Sequence, residues 1–349
     1  MHDFLATDFA RLNADAIDRC GALDGKRLYV TGASGFFGKT LLALLLFLQA
    51  RGMSFTVTAL SRAPRRVLAD HGWLDLPWLR WVEGDVRAPW PGRPQERYDL
   101  ILHAATDTAA SAHVDKLQVF DGIIAGTRQA LSFAGAHGVQ RLLLCGSGAQ
   151  YGAIPTSFAS GVTESGLIAC DTTRPSSAYG EAKRAGEMIA ALHAEAYGIE
   201  VINARCFAFV GPGLALDGHF AIGNFLRAAL AGESIILASR GHAVRSYLYG
   251  ADLAVWLLIL LLHAPPGTAV NVGSDRPITV LDLASRIRDL VSPASQVQAG
   301  VGESGEERSF YLPSIERARG LGLDVWTHLD LAIERTATWH RARTSRGSP

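Results

Sequence analysis

Lysine is nearly missing from this chain: Lys26, Lys39, Lys116 and Lys183 are the only four in 349 residues. No lysine tract can form, and the 33 basic residues are scattered and matched by 33 acidic ones to a formal net charge of zero. A general attraction to nucleic acid or to an anionic membrane is thereby excluded, so any phosphate must be met locally. The preference for arginine fits bidentate phosphate binding, but a biased coding sequence explains it more simply. Cysteine is also scarce. Cys20, Cys145, Cys170 and Cys206 show no C-x-x-C pairing and no His/Cys spacing suited to zinc, which leaves neither a disulfide framework nor a metal site and makes buried reduced thiols the expectation. Long apolar runs are absent too: 41–48 and 253–262 are too short to span a bilayer, and each fits a buried helix. The N-terminus has no basic region followed by an apolar stretch, so a secretion signal is not expected and a cytoplasmic location is.

Apolar residues make up 48% of the chain and charged residues 19%, enough to bury a sizeable core. Short apolar runs at 28–31, 56–60, 79–83, 100–103, 142–145 and 201–205 alternate with helical patterns. That rhythm predicts an α/β fold, a Rossmann-type doubly wound parallel sheet. Residues 1–24 read as a helical extension, with Phe4, Leu5, Phe9, Leu12 and Ile17 facing the body or a second subunit. The dinucleotide-binding domain is expected over 25–205, with a returning segment at about 238–262. Beyond Phe207 the alternation loosens, so 206–237 and 263–343 are assigned to a smaller C-terminal substrate-binding domain and 344–349 to a tail.

Two stretches carry chemistry. Thr31-Gly32-Ala33-Ser34-Gly35-Phe36-Phe37-Gly38 leaves a strand and opens an apolar helix. A turn there offers backbone N–H groups and the positive end of the helix dipole to a pyrophosphate, which side chains would keep away. In Ser177-Ala178-Tyr179-Gly180-Glu181-Ala182-Lys183, a lysine stands four places after a tyrosine, which puts both on one helical face.

Further motifs follow in order: Glu83-Gly84-Asp85-Val86, Leu102-His103-Ala104-Ala105, Gly146-Ser147-Gly148-Ala149-Gln150-Tyr151-Gly152, Arg205-Cys206-Phe207 leading to Gly211-Pro212, and Arg245-Ser246-Tyr247-Leu248-Tyr249. In this order they resemble the extended short-chain dehydrogenase/reductases of the nucleotide-sugar epimerase/dehydratase family, from about Arg27 to about Leu323. The resemblance implies an NAD(P)-dependent enzyme acting on a nucleotide-diphosphate (NDP) sugar, and a homodimer built from two helices of each subunit. It implies that Gly32, Ser34, Gly35, Phe36, Phe37 and Gly38 cradle the cofactor, that Ser61, Arg62 and Arg65 meet its adenosine ribose, and that Asp85 and Val86 hold the adenine. His103, Ala104, Ala105, Thr106 and Phe207 would line the rest of the cofactor site. Ser147 matches the catalytic Ser/Thr, and Tyr179 and Lys183 the acid/base pair.

As phenolate, Tyr179 would take the proton of a sugar hydroxyl while hydride leaves carbon; protonated, it would donate to a carbonyl. A phenol near pKa 10 needs about 4 kcal/mol of differential stabilisation to reach 7. The Lys183 ammonium and a positive nicotinamide ring are expected to supply it, with Ser147 binding the reacting oxygen.

Several positions depart from the family pattern. The 4,6-dehydratases carry an Asp-Glu pair directly after the catalytic Ser/Thr, and nucleotide-sugar decarboxylases a Glu two places after it; here stand Gly148 and Ala149. An acid for water elimination is missing, so hydride chemistry at a sugar carbon, C4, without dehydration is expected. An epimerase is favoured, with an NADPH-dependent ketoreductase as the alternative. Ile123 replaces an Asn of the fourth helix, so the lysine's proton relay differs, and Ala208 replaces an Asn that meets the diphosphate. Substrate grip falls to Asn224, Arg245 and Arg308, and His219 is a further candidate. The end of the second strand, Ser61-Arg62-Ala63-Pro64-Arg65, lacks the acid that binds a ribose 2′-OH; the arginines there favour NADP over NAD. A protein of this fold that binds a dinucleotide and catalyses nothing is the alternative of a different class.

Overall fold

A strand buried on both faces needs an unbroken apolar run, and Leu28-Tyr29-Val30 meets that need: all three are fully buried in the computed structural model. The structure describes residues 1–93, 95–106, 115–166, 168–216, 218, 220–300 and 309–344. His219 and Arg308 therefore lie outside the described residues.

The chain opens with helices α1 (His2–Phe9) and α2 (Ala14–Arg19), then alternates: β1 (Arg27–Thr31), α3 (Phe36–Ala50), β2 (Thr56–Ser61), α4 (Pro64–Asp70), β3 (Leu79–Glu83) and β4 (Leu100–His103). It continues through α5 (Lys116–Ala136), β5 (Arg141–Ser147), α6 (Ala178–Tyr197), β6 (Glu200–Cys206), β7 (Phe209–Val210), α7 (Ala221–Leu230), β8 (Ile235–Ile236), β9 (Val244–Arg245) and β10 (Leu248–Tyr249). The remainder is α8 (Gly250–His263), β11 (Ala269–Val272), β12 (Ile278–Thr279), α9 (Val280–Val291), β13 (Val297–Gln298), β14 (Phe310–Tyr311), α10 (Glu316–Gly320) and α11 (Leu329–Thr344).

Seven strands form one sheet in the order β11-β6-β5-β4-β1-β2-β3, every pairing parallel. The strand order reverses between β1 and β4, and ligands of such sheets bind in the crevice beyond that point. Thr31 and His103 are register partners there, and the Thr31 hydroxyl lies 2.7 Å from His103 Nδ1. The sheet takes Ala269–Val272 as its edge strand, from a stretch that the sequence pattern assigned to the smaller part. Three short strands, β12-β9-β14, make a separate sheet in which Arg245 of β9 pairs with Tyr311 of β14.

The core lies where α3 and α8 cover the sheet. Every residue of α8 from Gly250 to Leu261 is buried, and truncating any of its leucines to alanine costs about 2–5 kcal/mol by cavity formation. Leu5 and Phe9 bury α1 against this layer, and buried Asp8 clasps it there: its carboxylate accepts a hydrogen bond from the Tyr249 hydroxyl (2.8 Å) and pairs with Arg335 Nε of α11 (2.8 Å). Among the described residues no helix is long and apolar enough to cross a membrane.

A second polar hub fastens the C-terminal segment. Arg205 donates two bonds to the Glu187 carboxylate of α6 (2.8 and 3.0 Å) and one to the Tyr151 hydroxyl (2.8 Å). Tyr151 in turn donates to Asn271 Oδ1 (2.8 Å), and the Asn271 amide reaches the carbonyl of Ser314 (3.1 Å). Segment 309–315 is thus held over the carboxyl ends of β5 and β6.

Candidate active site

The glycine loop is shaped by close approach. Gly32 has φ +74°, and a Cβ there would lie 2.7 Å from the carbonyl carbon of Ala104; one on Gly38 would lie 2.3 Å from Ala33 Cα and from the Gly32 oxygen. Only glycine fits either place. Gly35 caps α3 without any side-chain hydrogen bond, and Ser34 and Gly35 are exposed, so the first N–H groups of a fifteen-residue helix face outward at the switch point. That cradle fits a diphosphate. Phe36 and Phe37 serve it from behind: the Phe36 ring packs against Gly211 and Gly250, and Phe37 meets Phe209 edge-on at 4.9 Å.

Further along the same edge, Ser61 is buried at the end of β2, while Arg62 and Arg65 are exposed. Asp85 is engaged by Arg87, which donates backbone N–H and Nε to one carboxylate oxygen (2.9 Å each) and a terminal nitrogen to the other (2.7 Å). These bonds hold the carboxyl down at about 2, and Arg62 adds attraction from nearby. Val86 is half-buried, its carbonyl accepting from Trp90 Nε1. His103 is buried, and that burial with the nearby Lys183 charge pushes its imidazole down to about 3, so it is neutral.

Ser147 ends β5, and Tyr179 and Lys183 lie in the first two turns of α6, which packs on α5 and on the turn after Ser147. The three converge. Tyr179 hydrogen-bonds to the Ser147 side chain. Lys183 Nζ donates to the Thr106 hydroxyl and to the Cys145 carbonyl (2.7 Å each) and lies 5.9 Å from the Tyr179 ring centroid. The expected role of Lys183 is corrected in one respect. Its charge sits over the ring rather than at the hydroxyl, and burial pushes Tyr179 up to about 12, with the Ser147 bond as the opposing influence. Burial also lowers Lys183, whose ammonium is satisfied by Thr106 and Cys145 where the family pattern would have placed an Asn at Ile123.

Phe207 has a different surrounding from the cofactor wall that its motif suggested. A Cβ built on Gly148 would meet its ring at 2.8 Å, and the same ring packs at 4.8 Å on Tyr311. The place where a side chain next to Ser147 would begin is filled.

A family model for the NAD dependent epimerase/dehydratase family matches residues 28–273. The chain belongs to this family. The UDP-glucuronic acid decarboxylase 1 of Danio rerio is 26% identical over 90% of the chain and 72% of its own length. A dTDP-glucose 4,6-dehydratase of Streptomyces niveus is 26% identical over 90% and 93%. Among solved structures, the UDP-glucose 4-epimerase of Thermotoga maritima with UDP-glucose superposes with a TM-score of 0.76 at 19% identity, covering 91% of this chain and 99% of that one. The extended dehydrogenase/reductase fold is thereby established.

Of the residues expected to grip substrate in this family member, Arg245 reaches the site. It is half-buried beside Tyr311 and donates to the Val244 carbonyl (2.8 Å). Asn224 sits half-buried one turn into α7 and makes no side-chain hydrogen bond among the described residues. Tyr311 is the residue that sequence reasoning missed. Its hydroxyl hydrogen-bonds to Ser147, and it arrives there through a register between β9 and β14 that no local signal announces. No cluster of three or more potential metal ligands occurs among the described residues.

Proposed function

We propose that this protein transfers hydride at C4 of a nucleotide-diphosphate sugar, without dehydration, as an epimerase. The carrying observation is the convergence of Ser147, Tyr179 and Lys183 beside a position, Gly148, whose side-chain space is taken by the Phe207 ring. An acid that eliminates water would have to project from that place. Ala149 likewise carries no carboxylate for a decarboxylase.

When bound, the dinucleotide supplies the hydride acceptor and donor. Gly32, Gly35 and Gly38 shape its diphosphate cradle, with the N–H groups that open α3 as donors. Tyr179 takes the hydroxyl proton as the sugar carbon is oxidised, and returns it when the carbon is reduced from the other face. Lowering its phenol from about 12 to neutrality requires roughly 7 kcal/mol, so Tyr179 becomes a base only in the loaded site. Ser147 hydrogen-bonds the reacting oxygen. Thr106 and the Cys145 carbonyl fix the Lys183 ammonium at the ring face. Arg245 meets the substrate phosphates.

A ketoreductase is the second reading, and two observations favour it: at rest Tyr179 is a neutral phenol ready to donate, and the end of β2 offers Arg62 rather than a carboxylate. For the same reason we assign NADP as the preferred cofactor, Arg62 pairing with its 2′-phosphate. A second copy of the chain fits on α5 and α6, where Leu117 (71%), Met188 (61%) and Leu192 (56%) stand exposed. The deciding experiment follows the dinucleotide while UDP-glucose, dTDP-glucose and their 4-keto derivatives are supplied. Interconversion of C4 epimers with no net cofactor consumption is expected; consumption of NADPH with keto-sugars alone would replace the epimerase by the reductase.

A further inference from the structure

Hydrogen-bond counting at Ser147 leads beyond the family roles. A serine oxygen has one O–H to donate and two lone pairs. The Ala149 N–H takes one lone pair (3.1 Å), which leaves one donor and one acceptor. Tyr179 and Tyr311 both hydrogen-bond to this hydroxyl and occupy both places. The reaction needs Tyr179 and the sugar oxygen there together. Three partners compete for two places, and Tyr311 is the one the chemistry can spare.

The surroundings of Tyr311 suit a group that gives way. It stands on a two-residue edge strand paired with β9 alone, and its ring lies in tilted contact with Phe207 at 4.8 Å. Its register partner is Arg245, the arginine assigned to the substrate phosphates. A ligand that engages Arg245 therefore acts on the same short sheet that carries the phenol.

We propose that Tyr311 is a displaceable stopper of the catalytic site: its phenol holds the place at Ser147 that the reacting hydroxyl of the nucleotide sugar takes, and substrate binding exchanges one for the other. The proposal rests on the nucleotide-sugar reading above. Removing the phenolic oxygen removes the competitor, so Tyr311→Phe, which keeps the ring on Phe207, tightens sugar binding by roughly 2- to 10-fold, the range of one net hydrogen bond. UDP and dTDP have no sugar hydroxyl to take the place, and their affinity stays the same.

Calorimetric titration of the full chain with saturating dinucleotide tests this, using UDP, dTDP, UDP-glucose and dTDP-glucose against wild type, Tyr311→Phe, Ser147→Ala and the double variant. The expected result is tighter binding of a sugar nucleotide alone, vanishing in the Ser147→Ala background, where there is no hydroxyl to compete for. Unchanged or weaker sugar binding, equal tightening of the bare nucleotide, or a gain that survives Ser147→Ala overturns the stopper while leaving the substrate class intact. No binding of any of the four ligands to wild type removes the nucleotide-sugar reading and the stopper with it.

Discussion

Adding one methyl group at Gly148 tests the packing that separates this site from a dehydratase. Gly148 is outside the positive-φ set, so alanine suits its backbone, and restricting the unfolded chain by itself would stabilise by about 0.4–1 kcal/mol. Against that, the new Cβ would lie 2.8, 2.8 and 2.9 Å from three carbons of the Phe207 ring, closer than real Cβ atoms come. The ring cannot retreat freely, since Tyr311 packs on it at 4.8 Å and a Cβ on Gly273 would already lie 3.1 Å from it. Overpacking of this kind costs about 1–3 kcal/mol, so Gly148→Ala is expected to destabilise the protein. In a Phe207→Leu background the obstruction is gone, and the same substitution should become neutral or stabilising. Urea denaturation followed by tryptophan fluorescence gives the four corners of the cycle, with an expected coupling of about 1–3 kcal/mol. A coupling below about 0.5 kcal/mol, the usual scatter for independent sites, would refute the claim that Phe207 occupies the space beside Ser147.

Tyr179→Phe should lower turnover roughly 10²- to 10⁴-fold, the range for a general acid/base, while dinucleotide affinity by fluorescence titration stays the same; preserved turnover would remove Tyr179 from its role. Arg62→Ala should weaken NADP roughly 10- to 100-fold, the value of a charge-assisted bond, and leave NAD unchanged, whereas equal effects on both would deny Arg62 the 2′-phosphate. Asp252, fully buried under the bonds of Trp326 N, Thr327 N and the Thr327 hydroxyl, is pushed up to about 6 by burial. Its folded state holds a proton that the unfolded state releases near 4, so between about pH 4 and 6 stability falls as pH rises, by up to about 3 kcal/mol. Melting curves of Asp252→Asn should be flatter than wild type across that window, and a parallel pH dependence would contradict the assignment.

Much of this was legible because it is local. The run Leu28-Tyr29-Val30, the glycines after it and the apolar helix that follows each obey a short-range rule, so the first βα unit and the remaining five strands of the sequence reading stand where the pattern placed them. Tyr179 and Lys183 share a helical face for the same reason. Long-range contacts were not legible. The ring of Phe207 over Gly148 joins the end of one strand to the turn after another, and Tyr311 depends on two-residue strands too short to show a period. The Arg87 pairing with Asp85 and the seating of Lys183 on Thr106 involve side chains that many local sequences would allow. The edge strand Ala269–Val272 was missed because an apolar run of four after a Pro-Pro break reads equally well as a piece of a second domain.

The most direct test of the central claim is the identity of the product. UDP-glucose, dTDP-glucose and UDP-glucuronic acid should each be incubated with the dinucleotide-loaded enzyme and followed by NMR and mass spectrometry. The account predicts a C4 epimer of unchanged mass from at least one of them. A 6-deoxy-4-keto sugar lighter by one water, or a pentose product lighter by carbon dioxide, would contradict it.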